Sequence, residues 1–119
     1  MPARLRPADP AAVAEARARL EAGESEPADL RLLTKHFLAL LETRAPGRSV
    51  EVRVPPYAAV QCVEGVRHTR GTPPAVVEMD AATWIALATG DLGWHDAERS
   101  ARVRASGERA DLAPYLPLG

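Results

Sequence analysis

The chain has 119 residues, of which 46% are hydrophobic and 26% charged, with a formal net charge of −1. That length is one domain, large enough to bury about two-thirds of its unfolded surface around a single core. Its arginines are interleaved with Glu and Asp rather than gathered, so the basic footprint of a nucleic-acid binder is missing and no nucleic-acid partner is expected.

The chain opens with an arm, Met1 to Ala8. The run M-P-A-R-L-R-P-A-D-P lacks the continuous apolar core of a signal peptide. No stretch approaches the ~20 apolar residues that span a bilayer. The expectation is therefore a cytoplasmic protein with no integral membrane segment. Asp9-Pro10 then starts a helix, a carboxylate cap followed by proline at the first helical position. Its apolar stripe is thin: Val13, Ala16 and Leu20. A second helix begins around Ser25-Glu26-Pro27. Leu30, Leu33, Phe37, Leu40 and Leu41 share a sector of roughly 100°, Leu38 flanks it, and Leu32 and His36 lie outside it, on the polar side or facing the first helix. This face is expected to cover a sheet. Ala45-Pro46-Gly47 stops the helix, and residues 9–45 read as a helical hairpin.

Strands follow. Val50, Val52 and Val54 alternate with Glu51 and Arg53, and Pro55-Pro56 breaks the run. Tyr57 to Glu64 is a second strand, with Ala58, Val60 and Cys62 on one face. Cys62, the only cysteine, reads as a small buried hydrophobe, and no intrachain disulfide is available. Ala75 to Met79 is the third strand. Asp80 caps a helix over 81–90, on which Trp84, Leu87 and Ala88 share a face, and Gly90 closes it in the left-handed conformation. A short helix around Trp94-His95-Asp96 leads to an alternating strand, Ser100 to Ser106. In the tail, 108–119, Leu112, Tyr115, Leu116 and Leu118 are too apolar for open water and are expected to fold back on the core or across a cavity mouth. One turn is expected at Ala110–Ala113, stopped before Pro114. Helices, then strands, then helix and strand indicate an α+β fold: a single domain, 1–119, whose sheet spans 49–107, antiparallel or mixed, with helices on one face. Four strands are evident; a fifth either lies within Gly65–Thr69 or is absent.

The ordered set Met79-Asp80, Trp84, Leu87-Ala88-Thr89-Gly90-Asp91-Leu92 and Arg102-Val103-Arg104-Ala105-Ser106-Gly107 resembles the small bacterial members of the sterol-carrier-protein-like superfamily. The resemblance is strongest over the last third of the chain. It implies a helix and strand forming one wall of an apolar lipid-binding cavity, and a sheet usually of five strands.

Little in the chain suggests bond-breaking chemistry. His36, His68 and His95 have neither H-x-x-x-H spacing nor C-x-x-C neighbours, so no metal and no cofactor is expected. No G-x-S-x-G, Walker or dinucleotide motif is present. Asp80, Asp91, Asp96 and Asp111 stand at helix starts, where capping accounts for them. An enzyme acting alone is therefore not expected. The resemblance, with the apolar helix Leu30–Leu41 and a sheet face of Val and Ala, implies binding or carriage of a lipid, fatty acyl or other apolar small molecule, at about 0.8 kcal/mol per buried CH₂. Leu33, Phe37, Leu41, Val52, Val60, Val77, Trp84 and Leu87 are the candidate cavity lining, with plain core packing as the alternative for each. The loop Arg67-His68-Thr69-Arg70-Gly71-Thr72 could hold a charged head group through His68 and Arg70; otherwise it is a solvated connection. The alternative function is an accessory or interaction domain with a filled core, pairing as a homodimer or with an enzyme partner.

Overall fold

The computed structural model describes residues 5–65, 74–107 and 110–119. Two helices come first, α1 (Pro10–Glu21) and α2 (Pro27–Arg44), followed by β1 (Val50–Val54), β2 (Ala58–Cys62) and β3 (Ala75–Met79). Helices α3 (Ala81–Thr89) and α4 (Trp94–Arg99) lead to β4 (Val103–Ser106) and a final 3₁₀ turn, Ala113–Tyr115. The fold is α+β, with one mixed four-stranded sheet in the order β2–β1–β3–β4. β1 runs antiparallel to β2 and parallel to β3, and β4 is antiparallel to β3. Of the span in which a fifth strand was expected, Gly65 is not in a strand and 66–69 lie outside the described residues.

Local chemistry sets the element ends. Asp9 caps α1 by accepting from the Ala12 N–H at 3.3 Å, and Asp80 caps α3 by accepting from the Thr83 N–H at 2.8 Å. Gly90, at φ 89°, ends α3 in the left-handed region, and the Leu92 N–H then returns to the Ala86 carbonyl at 3.1 Å. The start of α2 depends on a pair distant in sequence. Asp29 accepts from the Glu26 N–H at 3.0 Å and also receives the Arg19 guanidinium from α1, at 2.7–3.0 Å. The hairpin between β1 and β2 turns at Pro55-Pro56, with the Tyr57 N–H donating to the Val54 carbonyl at 2.9 Å. Gly47 admits no side chain, because a Cβ there would stand 2.2 Å from the Val63 carbonyl oxygen.

The strands bury one face. Val50, Val52, Val54, Val60, Cys62, Ala75, Val77, Met79 and Val103 are buried, whereas Arg53, Gln61 and Arg104 are exposed on the other side. The buried face joins residues of α2 and α3 in one apolar cluster that also takes in Val13, Ala16, Leu112 and Leu118. The tail thus folds back on the core.

Three sequence expectations shift in register. The buried face of α2 centres on Leu33, Thr34, Phe37, Leu38 and Leu41, while Leu30 and Leu40 are only half-buried. The reason is that α2 touches α1 and α3 as well as the sheet, so its covered arc is rotated and includes Leu38, read above as a flank. The last strand begins at Val103 rather than Ser100, and Ala101 and Ala105 are exposed. Residues 100–102 are used to stop α4: Ala101 sits at φ 59°, its N–H donates to Glu98, and the Arg102 N–H donates to Ala97, which is a Schellman-type closure. In the tail, the turn lies at Ala113–Tyr115 and includes Pro114, whose missing N–H is tolerated in a first turn. Asp111 starts that turn by accepting from the Ala113 N–H at 2.9 Å.

Candidate functional site

The eight apolar candidates converge. Leu33, Phe37 and Leu41 are successive turns of α2, and Trp84 and Leu87 share a face of α3. On the sheet Val60, Val52 and Val77 form a single row, since Val52 is in register with Val60 on one side and Val77 on the other. All eight belong to the same cluster. A side chain bordering a void wide enough for a water molecule keeps some accessible area. Leu33, Leu41, Val52, Val77 and Trp84 keep none (0%), and Val60 is the most exposed of the eight at 7%. At those five side chains the layer is therefore closed to water-sized space in this conformation.

Polar atoms inside the layer are few. The Trp84 Nε1–H donates to the Thr34 carbonyl at 3.2 Å, tying α3 to α2. The Thr34 hydroxyl and the Trp94 Nε1–H are buried and find no partner among the described residues. The Thr34 hydroxyl differs from those of Thr43 and Thr89, which return to the carbonyls of Ala39 at 3.1 Å and Ile85 at 2.9 Å. Burial, and secondarily the charge of Glu42, pushes the Cys62 thiol up to about 12, so it is a packed apolar group and not a nucleophile.

One rim of the layer is the C-terminal segment. Leu112 and Leu118 are buried in the cluster, yet the segment has no regular structure beyond its one turn. It is held by the Leu118 N–H donating to the Ala88 carbonyl at 2.7 Å and by Arg44 Nη1 donating to the carbonyls of Tyr115 and Pro117 at 3.1 and 2.7 Å.

Three pockets lined by described residues lie outside this layer. One of about 310 Å³ borders the β1–β2 turn, near Tyr57 and Glu78. Another, of about 480 Å³, lies between the start of α3 and β4, beside Asp80, Arg102 and Arg104. Hydrogen bonds from Thr83, and to a lesser degree the charge of Arg102, hold the Asp80 carboxyl below the usual range. A third, of about 590 Å³, runs along α1 and is closed on one side by His36 of α2. His36 accepts from the Ala8 N–H through Nδ1 at 3.0 Å, and burial and then Arg17 lower its pKa. In sequence His36 stands out only by lying off the leucine face, because its partner Ala8 is 28 positions away. His68 and Arg70 lie outside the described residues. His95 is exposed on α4. No group of three His, Cys, Asp or Glu among the described residues could hold a metal, and no helix among them is long and apolar enough to cross a membrane.

A search of curated proteins finds no match. A family model described as "Bacterial SCP ortholog" matches residues 26–118. That span runs from the start of α2 through the whole sheet, α3, α4 and the C-terminal segment, and leaves α1 outside. Because it covers most of the chain, the protein belongs to the family of bacterial sterol-carrier-protein orthologs.

Proposed function

We propose that the chain binds, and carries without chemical change, an apolar ligand such as a fatty acyl chain or sterol, in the layer between α2, α3 and the sheet. The observation that supports this is the convergence of Leu33, Phe37, Leu41, Trp84 and Leu87 with the valine row Val60–Val52–Val77 in one cluster, within a chain of this family. The layer as it stands is the closed form. Space for a guest comes from displacing Leu112 and Leu118, which sit in a segment with no regular structure beyond its one turn. Each ligand CH₂ that replaces them contributes about 0.8 kcal/mol. His68 and Arg70 serve a charged head group in this reading.

The test is titration with palmitate and cholesterol, followed by Trp84 fluorescence in a Trp94→Phe background and by native mass spectrometry. Entry of a guest disturbs the Trp84–Thr34 hydrogen bond, so a saturable micromolar change and a one-to-one adduct are expected. A second reading is favoured by the absence of any water-sized space beside Leu33, Val52 and Trp84: a filled accessory domain that pairs with itself or with an enzyme. A flat titration together with a dimer in analytical ultracentrifugation would establish that reading in place of the first.

A further inference from the structure

Side chains and a helix end, rather than a strand ladder, hold the C-terminal segment on the core. In A-P-Y-L-P-L-G, Pro114 and Pro117 carry no N–H, so a regular ladder with a sheet edge is closed to this segment. It is pinned at two buried leucines, Leu112 and Leu118, while residues 113–117 between them are half-buried or exposed. The Tyr115 N–H donates to Leu112 and the Leu116 N–H to Ala113. Those bonds are internal and travel with the segment when it moves.

Three helices fasten it. The Leu118 and Gly119 N–H groups donate to the Ala88 carbonyl at 2.7 and 3.2 Å. That carbonyl lies in the last turn of α3, where no partner exists within the helix. Arg44, exposed in the last turn of α2, donates through Nη1 to the Tyr115 and Pro117 carbonyls at 3.1 and 2.7 Å, between the two leucines. Arg17 of α1 donates to the Gly119 oxygen at 3.2 Å, beyond the second leucine. A guanidinium carries several donors in one plane and so can hold two carbonyls of an irregular segment at once. These bonds lie at the surface and can open while α2, α3 and the sheet keep their own hydrogen bonds.

We propose, resting on the core-binding reading above, that residues 112–119 are a strap latched by Arg44 and secondarily by Arg17, and that release of this latch, with Leu112 and Leu118 leaving together, sets the rate at which a guest enters.

Entry scales with the fraction of molecules whose strap is open. The guest takes the place of the two leucines, so the latch bonds exist only in the free form. Removing one speeds entry and tightens binding by the same factor, and leaves departure unchanged.

The test is stopped-flow mixing with palmitate and with uncharged hexadecanol, read by Trp84 fluorescence in the Trp94→Phe background, beside hydrogen exchange of the Leu118 amide without ligand. Arg44→Gln speeds exchange of that amide, and entry of both ligands, about tenfold at unchanged koff. Arg17→Gln does the same by a smaller factor, and Arg44→Lys falls between wild type and Arg44→Gln. Arg31→Gln, which removes an exposed charge from α2 away from the strap, changes neither. The Leu92 amide, bonded to Ala86 at the end of α3, exchanges at the wild-type rate throughout. Guest entry indifferent to Arg44→Gln, or equally accelerated by Arg31→Gln, overturns the latch and leaves the core reading intact. Absence of binding by both wild type and the Arg17→Gln, Arg44→Gln double variant overturns the core reading and the gate with it. Binding that appears only in the double variant supports both.

Discussion

The layer under α2 and the groove along α1 are both apolar stretches between two elements, yet one is sealed and the other open. The difference is side-chain volume. Leu33, Phe37, Leu41, Trp84 and Leu87 are large enough to meet the valine row of the sheet, and none is more than 1% exposed. Along α1 half of the lining residues, Pro10, Ala14 and Ala18, are alanine or proline, and a groove of about 590 Å³ is left. Alternation and helical spacing identify which face turns inward, but whether that face closes depends on the sizes of the side chains it meets.

The largest effect expected from breaking this contrast is at Trp84. Trp84→Ala should lower stability by about 3–5 kcal/mol in urea unfolding, whereas Ala18→Leu in the groove should stay within about 0.5 kcal/mol. A similar cost for both would mean that the core is not the tighter region. Leu112→Ala is expected to cost about 2–5 kcal/mol. If the tail is the removable rim, the same change also strengthens palmitate binding; a stability loss with no gain in affinity would show the tail to be plain core. Asp80→Ala should cost about 1 kcal/mol by removing the cap of α3, read as a lower urea midpoint at unchanged slope. Thr34→Val should be neutral or up to about 1 kcal/mol stabilising, because the buried hydroxyl has no partner to lose among the described residues. A clear loss instead would show that the hydroxyl is bonded in solution.

The smallest effect is expected at Asp29 and concerns pH. The Arg19 guanidinium, with the Glu26 N–H, holds the Asp29 carboxyl below its usual range. A lowered folded pKa stabilises the protein above the unfolded value of about 4 and loses that contribution as pH falls through the folded value. Melting temperature should therefore drop on acidification below about pH 4, and Asp29→Asn should flatten, without abolishing, that limb, because Asp80 titrates in the same sense. Salt should weaken the Asp29 contribution, since Arg19 is half exposed.

Much of the architecture was legible from local signals. Asp80 and Gly90 bracket α3 because a carboxylate cap and a left-handed glycine act within a few residues of themselves. The alternation of Val50, Val52 and Val54 marks the inner face of β1 for the same reason. Cys62 reads correctly as a buried apolar group. The start of the last strand was misplaced because Ala101 adopts a left-handed conformation usually left to glycine, which no pattern of alternation reveals. Leu38 was read as a flank because a single-sided sector ignores the flanking helices that also cover α2.

The candidate site was legible only as a set of inward-facing residues. The row Val60–Val52–Val77 depends on strand register, and the tie between Trp84 and Thr34 joins residues 50 positions apart. The chain alone therefore determined its helices, most of its strands and the composition of its interior, because caps, turns and periodicity act over a few residues. Only the tertiary structure decided that the interior closes while the α1 groove stays open, that Asp29 answers Arg19, and that His36 answers Ala8, because each depends on surfaces brought together from far along the chain.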